Sequence, residues 1–235
     1  MNIDCFFKRF TDILMSDKMD STFETINFLV GGTTSYKTGK LLNFAVSQME
    51  QGECYVETGV FQGATLISAN YRNGRKAYGI DPYIGMVERA DALAVREKAL
   101  QYIGGLGEGA QLIQKDFRQV AKEEIPEPIA VSFIDAMHMY QDVKDNLLWL
   151  EPLLADNALI FFDDVNYDGV EKAIFEWKKD HDETYDMLFY LKPFYQSNSY
   201  VWSLGDRFTN NGLCILRYHR DPTKKGTYIL IVPQA

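Results

Sequence analysis

The residues of this chain best suited to chemistry are acids set one after another behind β-prone runs. Glu57 closes the run ECYVE, Asp81 follows KAYGI, Asp116 follows QLIQ and one lysine, Asp135 follows IAVSFI, and the pair Asp163-Asp164 follows ALIFF. Asp is a common turn residue, so each position alone has an ordinary explanation. Their coincidence carries more weight, because converging carboxylates without cations are costly to assemble unless a ligand or a metal uses them. His138 stands three residues beyond Asp135, and an imidazole of ordinary pKa ~6.5 suits proton transfer near neutrality. After Glu57 the chain reads Thr58-Gly59-Val60-Phe61-Gln62-Gly63-Ala64-Thr65. Its glycines let backbone approach a ligand, and the helix that follows begins with free N–H groups. The middle glycine of the dinucleotide motif G-x-G-x-x-G is missing, which argues against a pyrophosphate on this turn. An acid there suits a cationic amine instead, and Asp81 at the tip of the second run suits a ribose diol.

Positioning these residues requires strands that end on one edge. Short β-prone runs at Glu53 to Glu57, Lys76 to Ile80, Gln111 to Gln114, Ile129 to Ile134 and Ala158 to Phe162 alternate with helical patterns at Ala64 to Tyr71, Val87 to Ile103, Tyr140 to Leu154 and Gly169 to Lys179. Such alternation predicts a parallel sheet covered on both faces, with its ligand site beyond the carboxyl ends of the strands. From Thr184 the pattern becomes β-rich (Thr184 to Leu191, Ser199 to Leu204, Leu213 to His219, Thr227 to Val232), which predicts antiparallel closing strands. The first fifty residues read as helical, with Phe6, Phe10, Ile13 and Leu14, then Leu41, Leu42, Phe44, Ala45 and Met49, at helical spacing. The expected fold is therefore an α/β, Rossmann-like doubly wound sheet, mostly parallel with antiparallel C-terminal strands, plus N-terminal helices. Residues 1–50 are expected to be a helical lid or interface, which would admit a homo-oligomer, and residues 51–235 a single domain.

The chain has 235 residues, 46% hydrophobic and 24% charged, with a formal net charge of −9. That charge disfavours nucleic acid and anionic lipid surfaces as partners. Cys5, Cys54 and Cys214 show no CxxC or Cys/His spacing, and they read as small buried hydrophobes of a reducing compartment. No signal-peptide pattern opens the sequence and no apolar run approaches the ~20 residues of a membrane helix, so a cytoplasmic location is expected.

In sequence order, ETGVFQGAT, YGIDPY, IQKDF, FIDAMHMYQDV and ALIFFDDV with GVEKAIFEW resemble class I S-adenosylmethionine-dependent methyltransferases. Within that class the chain is most similar to the branch of macrocin-type O-methyltransferases and cephalosporin hydroxylase-like proteins, over residues 50–180. The resemblance implies that Glu57, Thr58, Gly59, Gly63 and Thr65 hold the methionine part of the cofactor and that Asp81 binds its ribose. It further implies that Asp116 and Phe117 meet the adenine, and that Asp135 borders the cofactor. Asp135, Asp163 and Asp164 would coordinate Mg²⁺ or a similar divalent cation, and His138 would act with Asp135 in catalysis as general base. Two departures stand out: Met137 replaces the second acid of Asp-Gly-Asp-His, and Ala155-Asp156-Asn157 replaces Pro-Gly-Gly before the fifth strand.

The implied function is O-methylation of a small-molecule hydroxyl on a sugar, a glycosylated natural product or a catechol-like ring. A non-catalytic cofactor-binding module on the same fold is the alternative. A hydroxylase is disfavoured, since three histidines supply no 2-His-1-carboxylate set. His181 and His219 read as structural or surface residues. Tyr83, Tyr140, Tyr167, Phe194, Tyr195, Tyr200 and Trp202 receive no role, because most aromatics in such a chain are core. Acceptor specificity is expected in the N-terminal helices and in the segment from Lys192 to Gly212.

Overall fold

All side chains of Cys54–Thr58 (β1) and Ile129–Ile134 (β4) are buried, as strands covered on both faces require. A computed structural model of the protein describes residues 6, 9–13, 20–31, 34–83, 89–105, 109–192, 212–226 and 230–231. Beside these strands run Lys76–Ile80 (β2), Ala110–Ile113 (β3), Leu154–Asp163 (β5), Tyr185–Leu191 (β6), Leu213–Tyr218 (β7) and Leu230–Ile231 (β8). They form one eight-stranded sheet of order β3-β2-β1-β4-β5-β7-β6-β8. β1 to β5 pair in parallel, β7 is antiparallel to both β5 and β6, and β8 is parallel to β6. Strand order reverses between β1 and β4, which sets the crevice for a ligand at their carboxyl ends.

The helices are Ser21–Val30 (α1), Tyr36–Ser47 (α2), Ala64–Asn70 (α3), Arg89–Gly104 (α4), Tyr140–Leu150 (α5) and Asp168–Asp180 (α6). Asp20 and Ser35 cap α1 and α2 by accepting from the backbone N–H of Thr22 and Thr38, as short polar side chains do at helix starts. Leu159 and Phe161 of β5 join the core under α1 to α4, while Ile160 and Phe162 join the core under α5 and α6. This is the period-two alternation of a strand between two layers.

Three differences from the sequence reading have local causes. α5 stops at Leu150, four residues early, because Pro152 falls in a 3₁₀ turn at Glu151–Leu153 and denies a helix its N–H. β5 starts at Leu154, four residues before the expected run. The N-terminal residues pack as part of the main core: Phe6 and Phe10 are buried there, with rings 6.3 Å from Phe161 and 5.2 Å from Phe189 respectively. The expected strand Ser199 to Leu204, the acceptor segment between Lys192 and Gly212, and most of Thr227 to Val232 lie outside the described residues, as do Leu14 and Cys5. Cys54 and Cys214 are buried thiols. Among the described residues no helix is long and apolar enough to cross a membrane.

Candidate active site

β1 delivers its last residues to the crevice in two directions. Tyr55 and Glu57 share the face under α3, and Glu57 is wholly buried there. Its carboxylate accepts from the hydroxyls of Tyr55 (2.6 Å) and Thr65 (2.5 Å). Burial pushes Glu57 up to about 8, although the two donated hydrogen bonds pull the other way. Glu57 and Thr65 were expected on the cofactor loop; strand alternation instead turns them inward, where they tie β1 to α3. Thr58 faces the opposite layer and accepts at Oγ1 from Asn146 Nδ2 of α5 (2.8 Å), while its carbonyl accepts from the Asp135 N–H (2.9 Å). Gly59 has φ +88°, and a Cβ there would lie 1.9 Å from the Asp135 carbonyl oxygen. Glycine is therefore needed first for the approach of β1 to β4. Gly63 (φ +90°) precedes α3 as its N-cap.

Asp81 leaves β2 and pins the β1–α3 loop from the side. Its Oδ2 accepts from the N–H groups of Val60 and Phe61 (2.9 Å each) and its Oδ1 from that of Tyr83 (2.7 Å). A carboxylate offers about four acceptor positions, so the ribose role leaves it little spare capacity beyond this backbone work. Phe61 and Tyr83 both sit in the left-handed region (φ +48° and +52°), and the Tyr83 hydroxyl donates to the Phe61 carbonyl (3.1 Å). Non-glycine residues held there are strained, and such strain gathers at functional sites. After β3, Asp116 caps a 3₁₀ turn by accepting from the Arg118 N–H (2.9 Å), and Phe117 is buried against Trp149. Arg118 spans Asp116, Asp142 and Asp145. The side chains expected to meet adenine are thus engaged in the fold.

Past β4 and β5 the acids do converge. Asp135, His138 and Asp164 present ligand atoms all within 4.8 Å of one another. His138 Nε2 faces Asp164 Oδ2, and its ring stacks on Tyr167 with centroids 4.6 Å apart and planes 11° off parallel. Asp164 is buried with φ +56°, while Asp163 Oδ1 accepts the Asp164 N–H (2.9 Å). Burial and then the charges of Asp163 and Asp164 raise the Asp135 carboxyl well above its ordinary value. Burial and then the charge of Asp164 push Asp163 up to about 7. The contact with Asp164 raises His138. Two carboxylates and an imidazole within mutual reach are a donor set that suits a divalent cation, whose charge would relieve this repulsion. Of the three acids expected as ligands, Asp135 and Asp164 belong to this group together with His138, and Asp163 adjoins it through the Asp164 N–H.

Sequence reasoning missed Tyr55 and Asn146. Tyr55 could have been found from its period-two relation to Glu57, whereas Asn146 carries no signal until α5 is docked on β1. His219 is buried with Nε2 3.4 Å from Asp186, and His181 Nδ1 meets the Trp177 carbonyl (2.9 Å), so both are structural.

The comparisons with known proteins agree with this architecture. A family profile described as a methyltransferase domain matches residues 56–165, from within β1 to the residue after Asp164. No curated protein sequence matches the chain. Among solved structures the chain is similar to an O-methyltransferase from Bacillus cereus in complex with SAH, with TM-score 0.59 and 16% identity over 87% of this chain and 93% of that one. It is similar also to CalS11, a TDP-rhamnose 3'-O-methyltransferase of calicheamicin biosynthesis (TM-score 0.53, 16% identity, 91% of this chain and 93% of that one). A third is TomG, an O-methyltransferase of Streptomyces achromogenes involved in tomaymycin synthesis, in complex with SAM (TM-score 0.52, 15% identity, 93% and 99%). Residues 56–165 thus match a methyltransferase-domain profile, and the fold is the one these O-methyltransferase structures share.

Proposed function

We propose that the protein transfers a methyl group from S-adenosylmethionine to a hydroxyl of a small molecule, with a divalent cation assisting. The acceptor would be a sugar, a glycosylated natural product or a catechol-like ring, as in the macrocin-type branch. The observation that carries this reading is the convergence of Asp135, His138 and Asp164 past the carboxyl ends of β4 and β5, within the residues that match a methyltransferase-domain profile. The O-methyltransferases of similar fold, two of them bound to SAH or SAM, support the same cofactor here.

Methyl transfer from a sulfonium is an in-line substitution. The acceptor oxygen loses a proton and gains the methyl group, and the cofactor loses its positive charge. Asp135, Asp163 and Asp164 would hold a divalent cation, which when bound lowers the pKa of an acceptor hydroxyl and fixes its orientation. His138 takes the hydroxyl proton, and Asp164 at its Nε2 stabilises the imidazolium that results. Asp81 keeps the Val60 and Phe61 N–H groups in place, and with them the loop on which the methionine end of the cofactor would lie. Glu57 acts from beneath that loop through Thr65.

Calorimetric titration with S-adenosylhomocysteine tests the first step; absence of binding would refute the reading. EDTA-sensitive transfer to a catechol or sugar acceptor, lost in Asp135→Asn, tests the second. Cofactor binding with no transfer to any acceptor would favour the non-catalytic module.

A further inference from the structure

Two cations of α4, Arg96 and Lys98, reach the β1–α3 loop, and among the described residues neither meets a carboxylate. Lys98 Nζ donates to the side-chain carbonyl of Gln62 (3.0 Å). The Arg96 guanidinium lies within electrostatic reach of the Tyr83 hydroxyl: burial raises that phenol, the charges of Asp81 and Glu57 raise it further, and Arg96 opposes them. The same hydroxyl donates to the Phe61 carbonyl (3.1 Å), so the two cations stand beside consecutive loop residues, Phe61 and Gln62. Cations elsewhere at this edge are paired: Arg118 spans three carboxylates, and Lys115 meets Glu124.

Arg96 is half-buried, and its Nε is closed to solvent with no acceptor. No group among the described residues accepts from its terminal nitrogens either. A guanidinium is always charged, and a buried donor left unmet is costly. The acids that act on the same hydroxyl do not answer it. Asp81 gives its oxygens to the N–H groups of Val60, Phe61 and Tyr83, and Glu57 gives its own to the hydroxyls of Tyr55 and Thr65. Lys98 has an ordinary use in part, because it stands at the C-terminus of α1, where a cation is favoured: a Cβ on Gly31, the C-cap, would lie 3.2 Å from its Nζ. Arg96 has no such use.

We infer that Arg96, seconded by Lys98, forms a carboxylate-binding subsite beside the β1–α3 loop. The N–H fork of arginine matches the two oxygens of a carboxylate, and lysine adds a point charge. The choice of ligand rests on the methyltransferase reading above, under which two carboxylates come to this edge: that of the cofactor's methionine end and that of an acidic acceptor. Both offer the same chemistry to the guanidinium, and they differ in whether the subsite stays open once the cofactor is bound.

The test compares the full chain with Arg96→Gln and with the double variant Arg96→Gln, Lys98→Gln. Calorimetry measures S-adenosylhomocysteine, which carries the carboxylate, against 5′-methylthioadenosine, which keeps the adenosine and the thioether and lacks it. Thermal scans compare sodium acetate with sodium chloride at equal ionic strength, with and without saturating S-adenosylhomocysteine. If the cofactor supplies the carboxylate, Arg96→Gln weakens S-adenosylhomocysteine about tenfold or more and leaves 5′-methylthioadenosine within about twofold. Acetate then raises the wild-type melting temperature only in the absence of S-adenosylhomocysteine. If the acceptor supplies it, the affinity for S-adenosylhomocysteine stays within about twofold, and acetate stabilises the saturated wild type but not the saturated double variant. Either pattern supports the subsite. Affinities and acetate shifts that match between wild type and double variant overturn it, as does equal weakening of both nucleosides, which would show that Arg96 only braces the loop. A wild type that binds no S-adenosylhomocysteine would refute the methyltransferase reading, and the acetate scans would still decide on the subsite.

Discussion

Gly59 and Asp135 are in backbone contact so close that a methyl group on the first would stand 1.9 Å from the carbonyl oxygen of the second. The two residues directly follow β1 and β4, the neighbours between which strand order reverses, so the floor of the candidate site is made of main chain at the tips of two adjacent strands. Thr58 closes the same junction, accepting the Asp135 N–H at its carbonyl and the Asn146 amide at its hydroxyl. Asn146 of α5 thus ties its layer to a junction that leaves no room for a side chain at residue 59.

Gly59→Ala is accordingly expected to be among the most damaging single substitutions. A left-handed backbone in a non-glycine residue costs about 1–3 kcal/mol, and here the added carbon also meets backbone that no rotamer change can move. Urea unfolding should show a loss of about 3 kcal/mol or more. A loss under about 1 kcal/mol would mean that β1 and β4 can separate at their tips without consequence.

Asp81→Asn tests whether the carboxylate holds the loop through both oxygens. The single amide oxygen can serve Val60 and Phe61 or Tyr83, and the new NH₂ group faces whichever N–H it displaces. The unmet donors should lower stability by about 1–3 kcal/mol, and the affinity for S-adenosylmethionine should fall with the loosening of the loop. If unfolding is unchanged while cofactor affinity drops, Asp81 acts on the ribose alone and its three backbone contacts carry no energy.

Glu57 predicts a pH dependence of the cofactor-free protein. Its carboxyl is raised from 4.5 to about 8 in the folded state, so between those values the folded protein binds more protons than the unfolded chain, and stability falls as pH rises. The contribution is fully present below pH 4.5, is lost progressively up to about pH 8, and is flat above it. Melting temperatures between pH 5 and 9 should fall less steeply in Glu57→Gln, which buries the same shape without a charge. Tyr55→Phe and Thr65→Val should steepen the fall, since each removes a donor that favours the ionised form. An identical slope in wild type and Glu57→Gln would show that this carboxyl does not titrate in the range.

Much of this site could be read from strand tips, because a parallel strand has one functional end and a polar residue just past an apolar run marks it. That logic placed Asp81, Asp116, Asp135, Asp163 and Asp164 on one edge. It could not rank Asp163 against Asp164: their order in the chain is adjacent, and what separates them is the left-handed turn at Asp164 (φ +56°), which swings that carboxylate to His138. Nor could it show that Asp81 and Glu57 are engaged by their own neighbours, since both partnerships join loops or layers distant in sequence. The helical spacing of Phe6 and Phe10 was legible, yet Phe161 and Phe189, which they pack against, became their neighbours only through the fold.

Asp164→Asn separates the structural from the functional demands on that turn. Asparagine is among the residues that best tolerate left-handed backbone, its carbonyl can still meet the His138 ring, and the change removes a charge that Asp135 and Asp163 both oppose. The metal-free variant should therefore melt about 2–4 °C above the wild type, the direction expected where an active site sacrifices stability to function. Divalent cations should act oppositely on the two proteins. Mn²⁺ or Mg²⁺ in excess should raise the melting temperature of the wild type by mass action, and should leave Asp164→Asn within about 1 °C of its EDTA value. Thermal scans with EDTA, Mg²⁺ and Mn²⁺ on both proteins decide the matter. A variant less stable than wild type in EDTA would show that the Asp164–His138 pair outweighs the repulsion among the three acids. A variant that keeps the full cation-induced shift would remove Asp164 from the ligand set and leave Asp135 and Asp163 to hold the ion.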